Sequence, residues 1–147
     1  MQFRQAEKED ILQIQKVRHS VRENILSDPA LVTDADCAKY LEIRGLGWVC
    51  EVEKEIVGFT IVDLQDHNVW ALFVRPDFEH RGIGKKLHDL MLNRYFSITQ
   101  VKIWLGTAPG TRAEKFYRKA GWTENGLHGK DEIKFEMDCG TWKKLNL

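Results

Sequence analysis

One stretch constrains the fold of this chain more than any other: VWALFVRPDFEHRGIGKKLHDLMLN, residues 69–93. Its first six residues are apolar without alternation, and Pro76 follows. A short apolar run closed by a proline reads as a strand covered on both faces. Six residues after Pro76, Gly82 opens a second pattern. Ile83, Leu87, Leu90 and Met91 recur at three- and four-residue spacing, one stripe of an amphipathic helix. A further apolar run, VKIWLG at 101–106, comes next. Strand, helix and strand in this order are long enough for a right-handed parallel crossover. That requirement excludes all-α and all-β architectures.

The remaining patterns fill out a mixed α/β chain. Residues 2–5 suit a short strand. Residues 7–22 suit a helix, with Ile11, Ile14, Val17 and Val21 on one face. RENILSDPALVT is a loop with turn chemistry at Asp28-Pro29. Thr33 is placed to cap a second helix, with Asp36 at its third position and Val32 set to staple onto Cys37. Gly45 and Gly47 are expected to end that helix. WVCEV and IVGFTIV flank Glu53-Lys54-Glu55 as a hairpin. Residues 111–120 suit a short helix stopped by Gly121, and strands are expected near 122–126 and 132–138. The tail CGTWKKLNL favours no element. The predicted order is β-α-α-β-β-β-α-β-α-β-β, a single domain over 1–147.

Composition removes several function classes. Twenty-two basic and 22 acidic side chains give a formal net charge of zero. No global field attracts nucleic acid or an anionic membrane. No apolar run reaches the ~20 residues a membrane helix needs. The amino-terminal segment is charged, without a signal-peptide core, so a cytoplasmic location is expected. Cys37, Cys50 and Cys139 form no CxxC pair, and the five histidines show no metal-binding spacing, so no metal is expected.

The turn Arg81-Gly82-Ile83-Gly84 has two readings. It is a tight corner, or it is an anion site. A helix start presents backbone N–H groups without partners, and glycines remove the side chains that would keep a ligand away. Neither GxxxxGK[ST] nor GxGxxG is present.

TAPGTRAEKFYRKAGW, residues 107–122, decides between them. Taken with LFVRPDFEHRGIGKKL, it resembles the GNAT superfamily of acyl-CoA-dependent N-acetyltransferases. Val74-Arg75-Pro76 matches the end of that family's fourth strand, and Glu79-His80-Arg81-Gly82-Ile83-Gly84 matches its phosphate loop. Ala113, Phe116, Tyr117, Gly121 and Trp122 match its second motif in register. Glu79 stands where the family carries Gln or Arg, and Thr107 stands near its usual Asn. The resemblance implies a mostly antiparallel central sheet flanked by helices. It also implies acetyl-CoA between the fourth and fifth strands, with Arg81, Gly82, Ile83, Gly84 and Lys85 at the pyrophosphate and edge groups of Phe73 and Val74 at the pantetheine arm.

Acetyl transfer to a primary amine follows from the same resemblance. Tyr117 is the expected general acid, or hydrogen-bond donor, toward the departing sulfur. Its alternative is a packed core aromatic. The loop after the first helix is expected to choose the acceptor. Arg18, His19, Arg22, Glu23 and Asn24 are its polar candidates, and Glu23 could recognise an ammonium. No Asp, Glu or His lies in residues 69–74, which leaves Glu51, Asp63 or water as the base. His67 is expected at the wrong end of the strand. A small-molecule amine is the favoured acceptor. A protein-modifying acetyltransferase and a non-catalytic acyl-CoA-binding module stay open, as does a homodimer, an assembly common in this superfamily.

Overall fold

A computed structural model describes residues 1–21 and 32–146. The chain divides into two compact units, Met1–Tyr95 and Phe96–Leu147. In the first, β1 (Gln2–Gln5) and one 3₁₀ turn lead into α1 (Ile11–Ser20). A second helix, α2 (Asp34–Ala38), runs on through a π-helical turn at Lys39–Ile43. Three long strands follow: β2 (Gly45–Val52), β3 (Glu55–Asp63) and β4 (Asn68–Val74). A 3₁₀ turn at Pro76–Phe78 precedes α3 (Ile83–Ile98).

Strands β1 to β4 pair antiparallel in sequence order. The β2–β3 turn passes through Glu53 (φ 51°) and Lys54 (φ 68°), both left-handed, as a two-residue hairpin turn demands. Thr33 caps α2 as its sequence predicts: its hydroxyl accepts from the Asp36 amide, and the Asp36 carboxylate accepts from the Thr33 amide.

Two expectations are corrected here. Gly45 and Gly47 do not end the second helix; both belong to β2. A Cβ on Gly45 would sit 1.8 Å from the Val62 carbonyl oxygen, so this glycine permits close strand approach. The strand buried along nearly its whole length is β3, whereas β4 is half-buried everywhere except Ala71.

Two apolar layers cover this sheet. Ile14, Val17, Cys37, Leu41, Val49, Phe59, Ile61 and Ala71 pack on the α1–α2 side. Cys50, Val57, Ile83 and Leu87 pack on the α3 side. The register slips between Ile61 and Val62, leaving Trp70 as an extra residue in β4. Such a bulge re-aims a side chain, and Trp70 joins Ala71 on the α1–α2 side.

In the second unit, β5 (Ile103–Thr107), α4 (Arg112–Lys119), β6 (Thr123–His128), β7 (Glu132–Met137) and α5 (Cys139–Leu145) follow in turn. The strands pair antiparallel in the order β5-β7-β6. The tail that favoured no element forms α5. Its cap is Asp138, which accepts from the Thr141 amide at 2.7 Å, and its anchor is the buried Trp142. Among the described residues no helix is long and apolar enough to cross a membrane, and no group of His, Cys, Asp or Glu could hold a metal ion.

Candidate functional site

The first turn of α3 is built to leave backbone donors bare. Strand β4 ends where the Arg75 amide donates to the Val57 carbonyl at 2.8 Å. Pro76 starts a 3₁₀ turn, and the chain then passes two left-handed residues, His80 (φ 64°) and Gly82 (φ 79°). The Lys86 amide donates to the Gly82 carbonyl at 3.1 Å, which sets Gly82 at the cap. Helices α2, α4 and α5 are capped by the side chains of Thr33, Thr111 and Asp138. Gly82 has no side chain to do this. The amides of Ile83, Gly84 and Lys85 therefore have no intrahelical acceptor, and the cap residue itself offers them no side-chain oxygen. A Cβ on Gly82 would meet nothing within 4 Å. Bare amides, the positive end of the macrodipole and open space together fit an anionic phosphate group.

A second glycine holds this turn in place, and sequence patterning gave it no role. Gly58 of β3 pairs with Val74 of β4. A Cβ there would lie 3.1 Å from Ile83 Cγ2 and 3.2 Å from Leu87 Cδ1. Its absence lets the first turn of α3 rest on the sheet beside Val74. The signal was available: a glycine inside an apolar strand marks close approach.

The surrounding charges are unequal in availability. Arg75 donates to Asp77 and Glu55, which consumes its charge locally. Lys85 pairs with Asp89 at 2.7 Å. Lys86 lies 5.0 Å over the ring of Phe3. Arg81 is exposed and lies 4.7 Å from the centre of the Phe78 ring, which Arg75 also approaches, at 4.9 Å. Glu79 is half-buried at the end of the 3₁₀ turn.

The roles expected of Phe73 and Val74 divide. Because the Arg75 amide points at β3, alternation turns the polar backbone groups of Phe73 toward β3 and those of Val74 away from it. Val74 thus carries the outward N–H and C=O. The Phe73 ring faces the α1–α2 side, tilted against Phe59 at 5.8 Å.

Tyr117 belongs to α4, where Thr111 accepts from the Glu114 amide at the start. At its end Gly121 (φ 98°) and Trp122 donate to Arg118 and Tyr117 carbonyls, a Schellman closure. The Tyr117 ring packs edge-on against Phe116 and Trp122 and is 6% exposed. Burial raises its pKa above that of an ordinary phenol. It stays protonated across the physiological range and is an O–H donor there.

Of the acceptor candidates, Arg22, Glu23 and Asn24 lie outside the described residues. The structure separates the other two. His19 is exposed at the end of α1, whereas Arg18 turns inward and is 8% exposed. Its position four residues after Ile14 and seven after Ile11 was the sign that it shares the apolar face. The carboxylates considered as bases are both engaged. Glu51 receives Arg4, which also binds Asp10. Asp63 accepts from Arg44 at 2.8 Å and from the amides of Gln65 and Asp66. Burial works to raise the Asp63 pKa, but these donors outweigh it and hold the carboxyl below the usual range. His67 bonds the Tyr95 hydroxyl at 2.9 Å. Tyr95 is twelve residues along α3 from Ile83, about 18 Å at the helical rise.

Comparison with known proteins adds a family to this geometry. The acetyltransferase (GNAT) domain family matches residues 44–124. Among curated protein sequences none matches the chain. Solved structures do. A PaiA N-acetyltransferase from Thermoplasma acidophilum, in complex with coenzyme A, superposes with a TM-score of 0.78 at 15% identity, over 93% of this chain and 98% of that one. The protein smu.2055 from Streptococcus mutans gives 0.79 at 20% identity, over 94% and 99%. The ribosomal-protein-S18-alanine N-acetyltransferase from Escherichia coli gives 0.72 at 16% identity, over 92% and 90%.

Proposed function

We propose that this chain, which belongs to the acetyltransferase (GNAT) family, is an N-acetyltransferase that carries an acetyl group from acetyl-CoA directly to a primary amine of a small molecule. The observation that supports this most is the glycine at the start of α3, Gly82, open in front, with the first turn seated on Gly58 beside Val74. A relative of the same fold was solved in complex with coenzyme A. When bound, acetyl-CoA supplies an acyl group activated as a thioester.

The chain's own groups then have distinct tasks. The amides of Ile83, Gly84 and Lys85 would hold the pyrophosphate, with Arg81 adding charge at the rim. The outward N–H and C=O of Val74 would pair with the extended pantetheine arm, as an added strand pairs with a sheet. In the transfer the amine nitrogen bonds the acyl carbon and the carbon–sulfur bond breaks. One proton leaves the nitrogen and one reaches the sulfur, giving an amide and a free thiol. Tyr117 is assigned the O–H that meets the sulfur. An unperturbed phenol near pKa 10 is already about 1.5 units a weaker acid than a thiol, and burial weakens Tyr117 further. Hydrogen-bond donation to the developing thiolate is therefore its role, rather than full proton transfer. With Glu51 and Asp63 bound to arginines, the amine proton leaves through water.

A protein acceptor is the second reading, favoured by one solved relative named for an alanine of ribosomal protein S18. A zero net charge gives no field toward a strongly charged protein tail, which keeps small amines ahead. Free-thiol release from acetyl-CoA, measured against a panel of small amines and of peptide amino termini, tests both. With water as the route for the proton, kcat/KM rises about tenfold per pH unit below the amine pKa, near 10.4 for an alkyl amine. Acetyl-CoA binding without thiol release from any amine would instead identify a binding module.

A further inference from the structure

Arg18 is a buried cation whose Nε and Nη2 have no acceptor among the described residues. Its guanidinium carbon lies 4.9 Å from the centre of the Trp70 ring, 5.1 Å from Phe73 and 5.8 Å from Phe59. Trp70 reaches this position through the β4 bulge and is backed by Tyr40, stacked at 4.3 Å and 11°. Nε and Nη2 are both buried, and neither finds a partner among the described residues.

The charges around it do not complete the pair. Among the described residues Cys37 is the titratable group that interacts with Arg18, and burial pushes its thiol upward, so it stays neutral at pH 7. Asp36 is taken by Thr33, and Asp34 receives Gln15 at 3.4 Å. A guanidinium stripped of water without a counter-ion destabilises a fold. Position in the last turn of α1 and the surrounding rings offset part of that cost. Aromatic faces, however, satisfy only the faces of the guanidinium plane. The in-plane edge is left, and Nε with Nη2 is the fork that matches the two oxygens of one carboxylate.

We propose that Arg18 is the carboxylate-recognising group of the acyl-transfer site. Its Nε–Nη2 fork receives a carboxylate carried by one of the two substrates: the acceptor, as an amino carboxylate, or the donor, as a dicarboxylic acyl group on the coenzyme. Phe73, which walls the fork, is the strand neighbour of Val74, so the carboxylate lies on the sheet face beside the residue assigned to the pantetheine arm. This inference rests on the acyltransferase reading and narrows its substrate class.

The test uses the full chain and its Arg18→Met and Arg18→Lys variants. Acetyl-CoA affinity is measured first by calorimetry. Thiol release then compares phenylalanine with phenethylamine on the acceptor side, and succinyl-CoA with acetyl-CoA on the donor side. Melting with and without sodium glutarate gives a readout free of turnover. The wild type should prefer the carboxylate-bearing member of one arm by at least tenfold in kcat/KM, the size of one charge-assisted hydrogen bond, and glutarate should raise its melting temperature. Arg18→Met should lose both effects, keep acetyl-CoA affinity and melt no lower than the wild type. Arg18→Lys should retain only part of the preference, and it carries the test should the Met variant fail to fold. Preference in the acceptor arm assigns the carboxylate to the amine, and preference in the donor arm assigns it to the acyl group. No preference in either arm, with acetyl-CoA bound normally, overturns the inference alone. An undiminished preference in both variants overturns it equally. A wild type that binds no acetyl-CoA overturns the acyltransferase reading with it.

Discussion

Replacing Gly82 by Ala separates the conformational cost of the turn from its binding role. Gly82 has φ 79°, a region that costs an L-residue about 1–2 kcal/mol. Alanine also restricts the unfolded chain, which returns about 0.4–1 kcal/mol. Nothing lies within 4 Å of the added methyl, so no clash adds to this. The net loss is about 1 kcal/mol, a few degrees in Tm for a chain of 147 residues. The methyl would stand in front of the bare amides, where the pyrophosphate would approach. Losing one charge-assisted hydrogen bond there is worth about 1.5–3 kcal/mol, or roughly 10- to 150-fold in Kd. Calorimetry with acetyl-CoA, run well below the variant's Tm, reads the binding term, and a thermal melt reads the folding term. A variant that melts a few degrees lower yet binds with unchanged Kd would refute the backbone cradle.

Three further outcomes follow from the geometry. Gly58→Val should drive new methyls into Ile83 and Leu87, cost about 1–3 kcal/mol by overpacking, and weaken acetyl-CoA binding by moving the first turn of α3; intact affinity would show that Gly58 does not seat the site. Tyr117→Phe should leave acetyl-CoA affinity unchanged and lower kcat by roughly 10- to 100-fold, one hydrogen bond to a charged sulfur; equal rates between pH 6 and 9 would remove its assigned role. Arg44→Met should lower stability at neutral pH and raise the midpoint of acid unfolding. The Asp63 carboxyl is depressed in the fold, so its contribution is complete above the unfolded value near 3.9 and vanishes as pH falls through the folded one. An acid-unfolding midpoint equal to the wild type's would contradict that pairing.

The features legible in the sequence are those set by local chemistry. Thr33 announces a helix start because a hydroxyl before a helical run can accept an orphan amide. Gly82 is legible because a strand, a proline and a glycine must turn the chain before an amphipathic stripe. What was not legible depends on partners distant in sequence. Gly45 looks like a helix stop until the Val62 carbonyl is seen against it. Period-two alternation separates Trp70 from Ala71, and only the slip opposite Ile61 and Val62 brings them to one face. Without that bulge Arg18 looks like one more polar residue at a helix end. The α5 helix was hidden because Gly140 weakens its propensity, while the burial of Trp142 compensates.

The central claim is that the glycine-led start of α3 holds the pyrophosphate of an acyl-coenzyme. Calorimetric titration of the purified chain with acetyl-CoA and, in parallel, with acetyl-pantetheine tests it most directly, because the two ligands share the thioester arm and differ in the phosphates. Acetyl-CoA should bind with a Kd below about 1 mM, and acetyl-pantetheine should bind at least tenfold more weakly. Equal affinities, or no heat from acetyl-CoA at millimolar concentration, would contradict the account.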